Sequence, residues 1–327
     1  MPGWILRPPN CRFNIYFLTV DDANNKLRSA RGKLEAKASR LLSQGGGFLK
    51  VVYTITPSSL VKKKKDFVVG VKNLEQLGFK VIHKRFITQM PSIRRKVKEI
   101  HTAFLNRRVG VILAQRGGYS SMKLLPHLDF NLIQSHPKIF AGFSDLSALL
   151  NAISERTGLI TLHSPMVINF SEPSQLTIRS FLNAVNGFPH KNLFAGVPVG
   201  VYRPGIARGT LKGGNLITLT ALIGTEWEID TQGSILFLED VDEKLYEVDR
   251  NLTQWIWAGK LRKVRGLILG EFRGLKNQDI YRILSQQTTM DFPLVHCPYI
   301  GHGKNKITLP VGARVELNTS KKSLILR

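Results

Sequence analysis

The residues best placed to do chemistry are a serine, a carboxylate pair and a histidine, each held in a short run of small or strand-forming neighbours. Ser144 stands in Ala141-Gly142-Phe143-Ser144-Asp145, after an apolar run and before a helical one. A serine on a sharp strand-to-helix turn has its hydroxyl lifted clear of the sheet and backbone N–H groups aimed at the same space, the requirements of a nucleophile. The match to G-x-S-x-G is incomplete, because Leu146 occupies the second glycine position. A Ser-Asp pair opening a helix serves equally as an N-cap. Gln115-Arg116-Gly117-Gly118-Tyr119 follows another strand, and its two glycines allow close backbone approach and offer N–H groups to an anion, or make a tight turn. Leu236-Phe237-Leu238-Glu239-Asp240 leads a strand into two carboxylates, and His302 lies between Gly301 and Gly303. A histidine in a glycine turn has little packing role, which favours a chemical one.

The elements around these residues alternate. Strands are expected at 48–55, 80–83, 109–114 and 138–143, with helices at 66–77, 94–105, 121–128 and 146–157. That alternation predicts a parallel α/β sheet of the Rossmann or flavodoxin-like kind, with chemistry at the carboxyl ends of the strands, where Ser144 falls. From about residue 199 the texture changes. Gly205, Gly209, Gly213 and Gly214 cluster, strands at 234–238 and 266–269 flank one helix at 246–258, and strand-like runs fill 306–326. The expected organisation is an appendage at 1–48 carrying a polar helix at 21–43, an α/β domain at 49–190, and a smaller β-rich domain at 200–327.

Composition narrows the classes. The chain has 327 residues, long enough for two ordinary cores, with 43% hydrophobic residues. Its two cysteines, Cys11 and Cys297, are too few for a disulfide framework, and no Cys/His cluster suggests a structural metal. Neither a metal nor a redox cofactor is expected, and a reducing compartment is. His83, His101, His127, His136, His190 and His296 show no metal-site spacing with carboxylates. A net charge of +24 makes nucleic acid a rival partner, although the basic residues are spread out and the one dense run, 62–65, falls at an expected loop-to-helix junction. No stretch reaches the roughly 20 apolar residues of a membrane span, and the apolar run at 13–20 resembles a signal peptide only weakly.

In order, Arg-Gly-Gly-Tyr, Gly-Phe-Ser-Asp, Gly-Gly-Asn-Leu, Leu-Glu-Asp-Val-Asp-Glu with Tyr246 and Asp249-Arg250, and Gly-His-Gly resemble the LD-carboxypeptidase family, which includes microcin C immunity peptidases. The resemblance runs from about Val51 to Leu317. It implies a Ser144-Glu239-His302 triad shared between the two domains, with the backbone N–H groups of Gly118 and Asp145 as oxyanion hole. Glu239 is preferred to Glu243, which lies in the following turn. Tyr246, Asp249 and Arg250 belong to substrate contact or a packing face, and His163 is read as a supporting or structural residue. The implied substrate is a muropeptide tetrapeptide losing D-alanine in cytoplasmic cell-wall recycling, by a homodimer. A peptidyl-nucleotide antibiotic is the alternative substrate, and nucleic-acid binding around a relic site is the alternative function. The sequence departs from the family at Ser120 and Ser164, where glycines are usual, and in its extra first 48 residues, and the familiar Pro-Gly-Asp lead-in is not visible before Val51.

Overall fold

The structure, a computed structural model, describes residues 50–327; the appendage expected at 1–48, with its helix at 21–43, lies outside the described residues. The chain folds as expected into an α/β structure with two sheets. In the first, β1 (Val51–Ile55), β2 (Lys80–Ile82), β3 (Val109–Ala114), β4 (Ile139–Gly142) and β5 (Thr161–His163) run parallel in the order β5-β4-β3-β1-β2. Residues 52–55 are all buried, because helices cover both faces of a parallel sheet. Helix α1 (Lys64–Gln76) turns Phe67, Gly70, Val71 and Leu74 inward at helical spacing, and the lysine run falls at its start. Helix α2 (Ile93–Leu105) is capped by Ser92, whose hydroxyl accepts from the Arg95 N–H at 3.3 Å.

The segment expected as a helix at 121–128 is a 3₁₀ helix over Ser121–His127. Pro126 lies inside it and lacks the N–H an α-helical ladder would need. A six-residue helix, α3 (Phe130–Ser135), follows under an Asp129 cap and is too short to show a period. After β4 come a turn of 3₁₀ helix at Ser144–Leu146 and then α4 (Ser147–Thr157). Helix α5 (Gln175–Val185) closes this half.

The second sheet holds β6 (Gly200–Arg203), β7 (Ile206–Asn215), β8 (Ser234–Val241), β9 (Gly266–Arg273), β10 (Leu294–His296), β12 (Arg314–Asn318) and β13 (Ser323–Leu326), in the order β13-β12-β7-β8-β9-β10-β6. Between them lie α6 (Leu216–Thr220), α7 (Leu245–Trp257) and α8 (Asn277–Gln287). The sequence reading has one helix here. It misses α8 because only Ile280, Ile283 and Leu284 form its buried stripe. One strand, β11 (Leu309–Val311), leaves this half and pairs antiparallel with β5, so the first sheet is five parallel strands plus an edge strand from the tail. Pro310 is tolerated there because an edge strand needs ladder bonds on one side only. Among the described residues no helix is long and apolar enough to cross a membrane.

The glycine cluster has a definite use. A Cβ on Gly213, whose φ is 135°, would lie 1.9 Å from the Phe237 carbonyl oxygen of the neighbouring strand β8. Gly213→Ala is therefore expected to destabilise the fold by about 3 kcal/mol or more, from backbone strain and overpacking together. Gly110→Ala, where an added Cβ meets nothing within 4 Å, serves as the control. Thermal melts of both variants test this, and a wild-type melting temperature for Gly213→Ala would refute the account.

Candidate active site

Ser144 follows β4 with only Phe143 between them, and has a φ of 65°, in the left-handed region that a non-glycine residue rarely adopts. It is the first residue of the 3₁₀ turn rather than a cap, since the N-cap positions of the two helical segments are Phe143 and Leu146. The capping alternative therefore does not describe this serine. Strain of this kind persists only where surroundings over-determine it, and here three groups do so. Asp145 is buried, and its Oδ2 accepts from the Ser58 hydroxyl and from the Ser121 N–H at 2.9 Å, while the Ser121 hydroxyl donates to the Asp145 carbonyl. Leu146 packs over Gly142, where a Cβ would come within 3.0 Å of the Leu146 Cγ. That contact explains why position 142 is a glycine when a leucine stands at 146.

The Arg116–Tyr119 loop runs against the same turn. A Cβ on Gly117 would lie 3.0 Å from the Ser144 Cβ and 3.1 Å from its Oγ. Gly118, at φ 125°, packs on Ser59, whose Oγ accepts from the Tyr119 N–H at 3.1 Å. Ser120 adopts φ 98°, and its hydroxyl accepts from the Nζ of buried Lys96 at 2.8 Å. A side chain at this usually glycine position is thus held from below by a cation that also bonds the Pro57 and Ser58 carbonyls.

The other half supplies Glu239 and His302. Glu239 is fully buried within β8, and its Oε2 accepts from the His302 Nδ1 at 2.8 Å. Because a carboxylate only accepts, this bond assigns the His302 proton to Nδ1 and leaves the Nε2 lone pair for another group. Two carboxylates explain the Gly-His-Gly run. A Cβ on Gly301 would lie 3.0 Å from the Glu239 Oε2, and one on Gly303 would lie 3.0 Å from both carboxylate oxygens of Glu271. The His302 ring packs on the Phe143 ring at 4.8 Å between centroids, beside Ser144. Glu243, the less favoured carboxylate, lies in the turn before α7 with Asp242 and is partly exposed.

The two halves are fixed together directly behind the nucleophile turn. Asn151 of α4 exchanges bonds with Gly213 of β7, at 2.9 and 3.2 Å, and the Asn215 N–H donates to the Ser147 hydroxyl at 2.9 Å. Asn215 in turn donates to Asp240 at 2.8 Å. Burial, then the neighbouring Glu239 charge, pushes the Asp240 carboxyl up to about 7.

Profiles of the LD-carboxypeptidase N-terminal and C-terminal domains match residues 52–164 and 208–317. The chain belongs to the LD-carboxypeptidase family. It is thereby a serine-type peptidase. Among its relatives, a probable murein peptide carboxypeptidase of Bacillus subtilis is 33% identical, covering 84% of this chain and 91% of that protein. The microcin C7 self-immunity protein MccF of Escherichia coli is 27% identical, covering 83% of this chain and 91% of its own length. A crystal structure of an MccF-like protein from Bacillus anthracis superposes with a TM-score of 0.76 at 27% identity, covering 85% of this chain and 96% of that one.

Within this LD-carboxypeptidase, His163 is buried against Phe143 and Phe237, edge-on to both rings, and neither ring nitrogen has a partner among the described residues. Burial lowers its proton affinity to about 4, so it is neutral near pH 7. Tyr246 is exposed at the start of α7 and donates to Glu247 at 3.0 Å; Asp249 accepts from Gln287 at 2.7 Å across to α8, a packing contact. The sequence reading misses Glu271 and Lys306. Glu271 had a usable signal, since it follows the apolar run of β9 as Glu239 follows that of β8. Lys306 had none, because a lysine in a loop reads as solvated.

Proposed function

We propose that the chain is a serine carboxypeptidase that removes the terminal D-alanine from a muropeptide tetrapeptide, serving cell-wall recycling in the cytoplasm. The observation that carries the reading is the hydrogen bond between buried Glu239 and His302, with the imidazole packed at a tilt against Phe143, the residue that precedes Ser144. In this mechanism His302 Nε2 takes the Ser144 hydroxyl proton as Oγ attacks the amide carbon. The same proton then passes to the leaving nitrogen, D-alanine departs as a free amine, and an acyl ester remains on Oγ. Water attacks the ester, giving up its proton to His302, which returns it to Oγ. Glu239 keeps the imidazole in the working tautomer and stabilises its charged form. The N–H groups of Gly118 and Asp145 are assigned to the oxyanion, supported by the glycine-permitted approach of the loop to Ser144.

The likeness to MccF supports a second reading in which the same machinery hydrolyses a peptidyl-nucleotide antibiotic. Mass spectrometry of D-alanine release from tetrapeptide, beside hydrolysis of a peptidyl-nucleotide, separates the two. The expected result is at least a roughly tenfold larger kcat/KM for the tetrapeptide, the size of one lost well-placed contact. A preference for the peptidyl-nucleotide would establish the second reading, and hydrolysis of neither would overturn both.

A further inference from the structure

Beside the Gly301–Gly303 turn lies a buried ammonium that the mechanism does not use. Lys306 is 7% exposed, although a lysine in a loop ordinarily keeps its head in water. Its backbone is anchored to α5, where the Thr177 hydroxyl accepts from its N–H at 3.0 Å. The side chain turns back, and Nζ donates to the Gly303 carbonyl and sits 5.4 Å from the centroid of the Phe143 ring. One cation thus touches both the turn that carries His302 and the ring against which His302 packs.

Charge, rather than bulk, is what this place uses. Desolvating an ammonium costs several kcal/mol, and a methionine would cover Phe143 without that penalty. The groups whose charges act on Lys306 are Glu239 on β8 and Glu271 and Arg273 on β9, while the neutral His163 ring on β5 and His302 in its own loop complete the surroundings. Glu271 has one buried carboxylate oxygen without a hydrogen-bond partner among the described residues. Lys306 is therefore the cation set between two carboxylates, and its hydrogen bond goes to neither of them but to the carbonyl that closes the His302 turn.

Building on the triad reading above, we propose that Lys306 is a positioning residue for His302. Its ammonium closes the Gly301–Gly303 turn through the Gly303 carbonyl and holds the imidazole on Phe143, beside Ser144. Desolvation lowers its proton affinity to about 8, with Glu271 and Glu239 opposing that shift. The clamp is charged below that pH and is lost as pH rises through it. Turnover should then fall on the alkaline side for a reason that belongs to Lys306.

The test measures kcat and KM for tetrapeptide hydrolysis from about pH 6 to about pH 10, using the full chain with Lys306→Met, Lys306→Gln and Lys306→Arg. Lys306→Met is expected to lower kcat by about ten- to a hundredfold at neutral pH, with KM within about threefold, as loss of orientation does. Its alkaline limb near pH 8 should vanish. Lys306→Arg, always charged, should recover most of the turnover and push that limb upward. Lys306→Gln can still donate to the Gly303 carbonyl, so it isolates the charge if the methionine variant folds poorly. Wild-type kcat and an unchanged alkaline limb in both neutral variants would overturn the proposal, as would a change confined to KM. His302→Ala, assayed alongside, keeps the two readings apart: full activity there refutes the triad, whatever Lys306 does.

Discussion

Ser144→Ala is expected to abolish D-alanine release, with kcat lower by about 10⁴ to about 10⁶, the range lost when the nucleophile of a serine triad is removed. The residual rate would be what binding and oxyanion donors alone provide. The substitution should leave the fold intact. Ser144 Oγ caps no helix, and the turn is pinned by Asp145, Ser58 and Ser121 rather than by the serine itself. Alanine is less at ease than glycine at φ 65° but no worse than serine, so the melting temperature should stay near that of the wild type. A variant with normal turnover would remove Ser144 from the chemistry. A variant that is inactive but also unfolded would contradict the account of the turn.

Glu239→Gln should lower kcat by roughly 10⁴ with little change in KM, the scale seen when an orienting carboxylate becomes an amide and the histidine takes the wrong tautomer. The physical reason lies in the donor count. Glu239, itself without solvent exposure, accepts through Oε2 from His302 Nδ1 at 2.8 Å. A glutamine nitrogen at that place presents a proton to Nδ1. The imidazole must then move its own proton to Nε2, which removes the lone pair meant for Ser144, or the amide must turn its oxygen inward. Glu239→Asp is the companion variant, since it keeps the charge and shortens the reach. Kinetics of both, with circular dichroism as a check on folding, decide the matter. A glutamine variant within tenfold of wild type would return Glu239 to a structural role.

Much of this was legible in the sequence because the informative positions are local. The alternation of apolar runs gave four of the five parallel strands to within a few residues and passed over the three-residue β5, and the strand-turn-helix around Ser144 marks where the elbow lies. Glu239 and His302 were readable because one ends an apolar run and the other stands between glycines. What escaped depends on contacts between distant residues. The glycines of β7 lower strand propensity, and only the closeness of Gly233 to Gly209, Phe237 to Gly213 and Ser147 to Gly214 explains why a strand needs them. The role of Asp145 as an anchor depends on Ser58 and Ser121. Lys306 becomes a candidate only once Phe143 and Gly303 are known to meet its side chain.

The pairing of β11 with β5 bears on the order in which the molecule is made. A ribosome delivers the nucleophile turn early, but the sheet beneath it stays one strand short until residues 309–311 have emerged, long after Ser144 and shortly after His302. A chain truncated before β11 would hold every proposed reacting group and lack the strand that staples the second half to the first sheet. Competence would then arrive late in synthesis, once the tail strand has joined the sheet that carries Ser144.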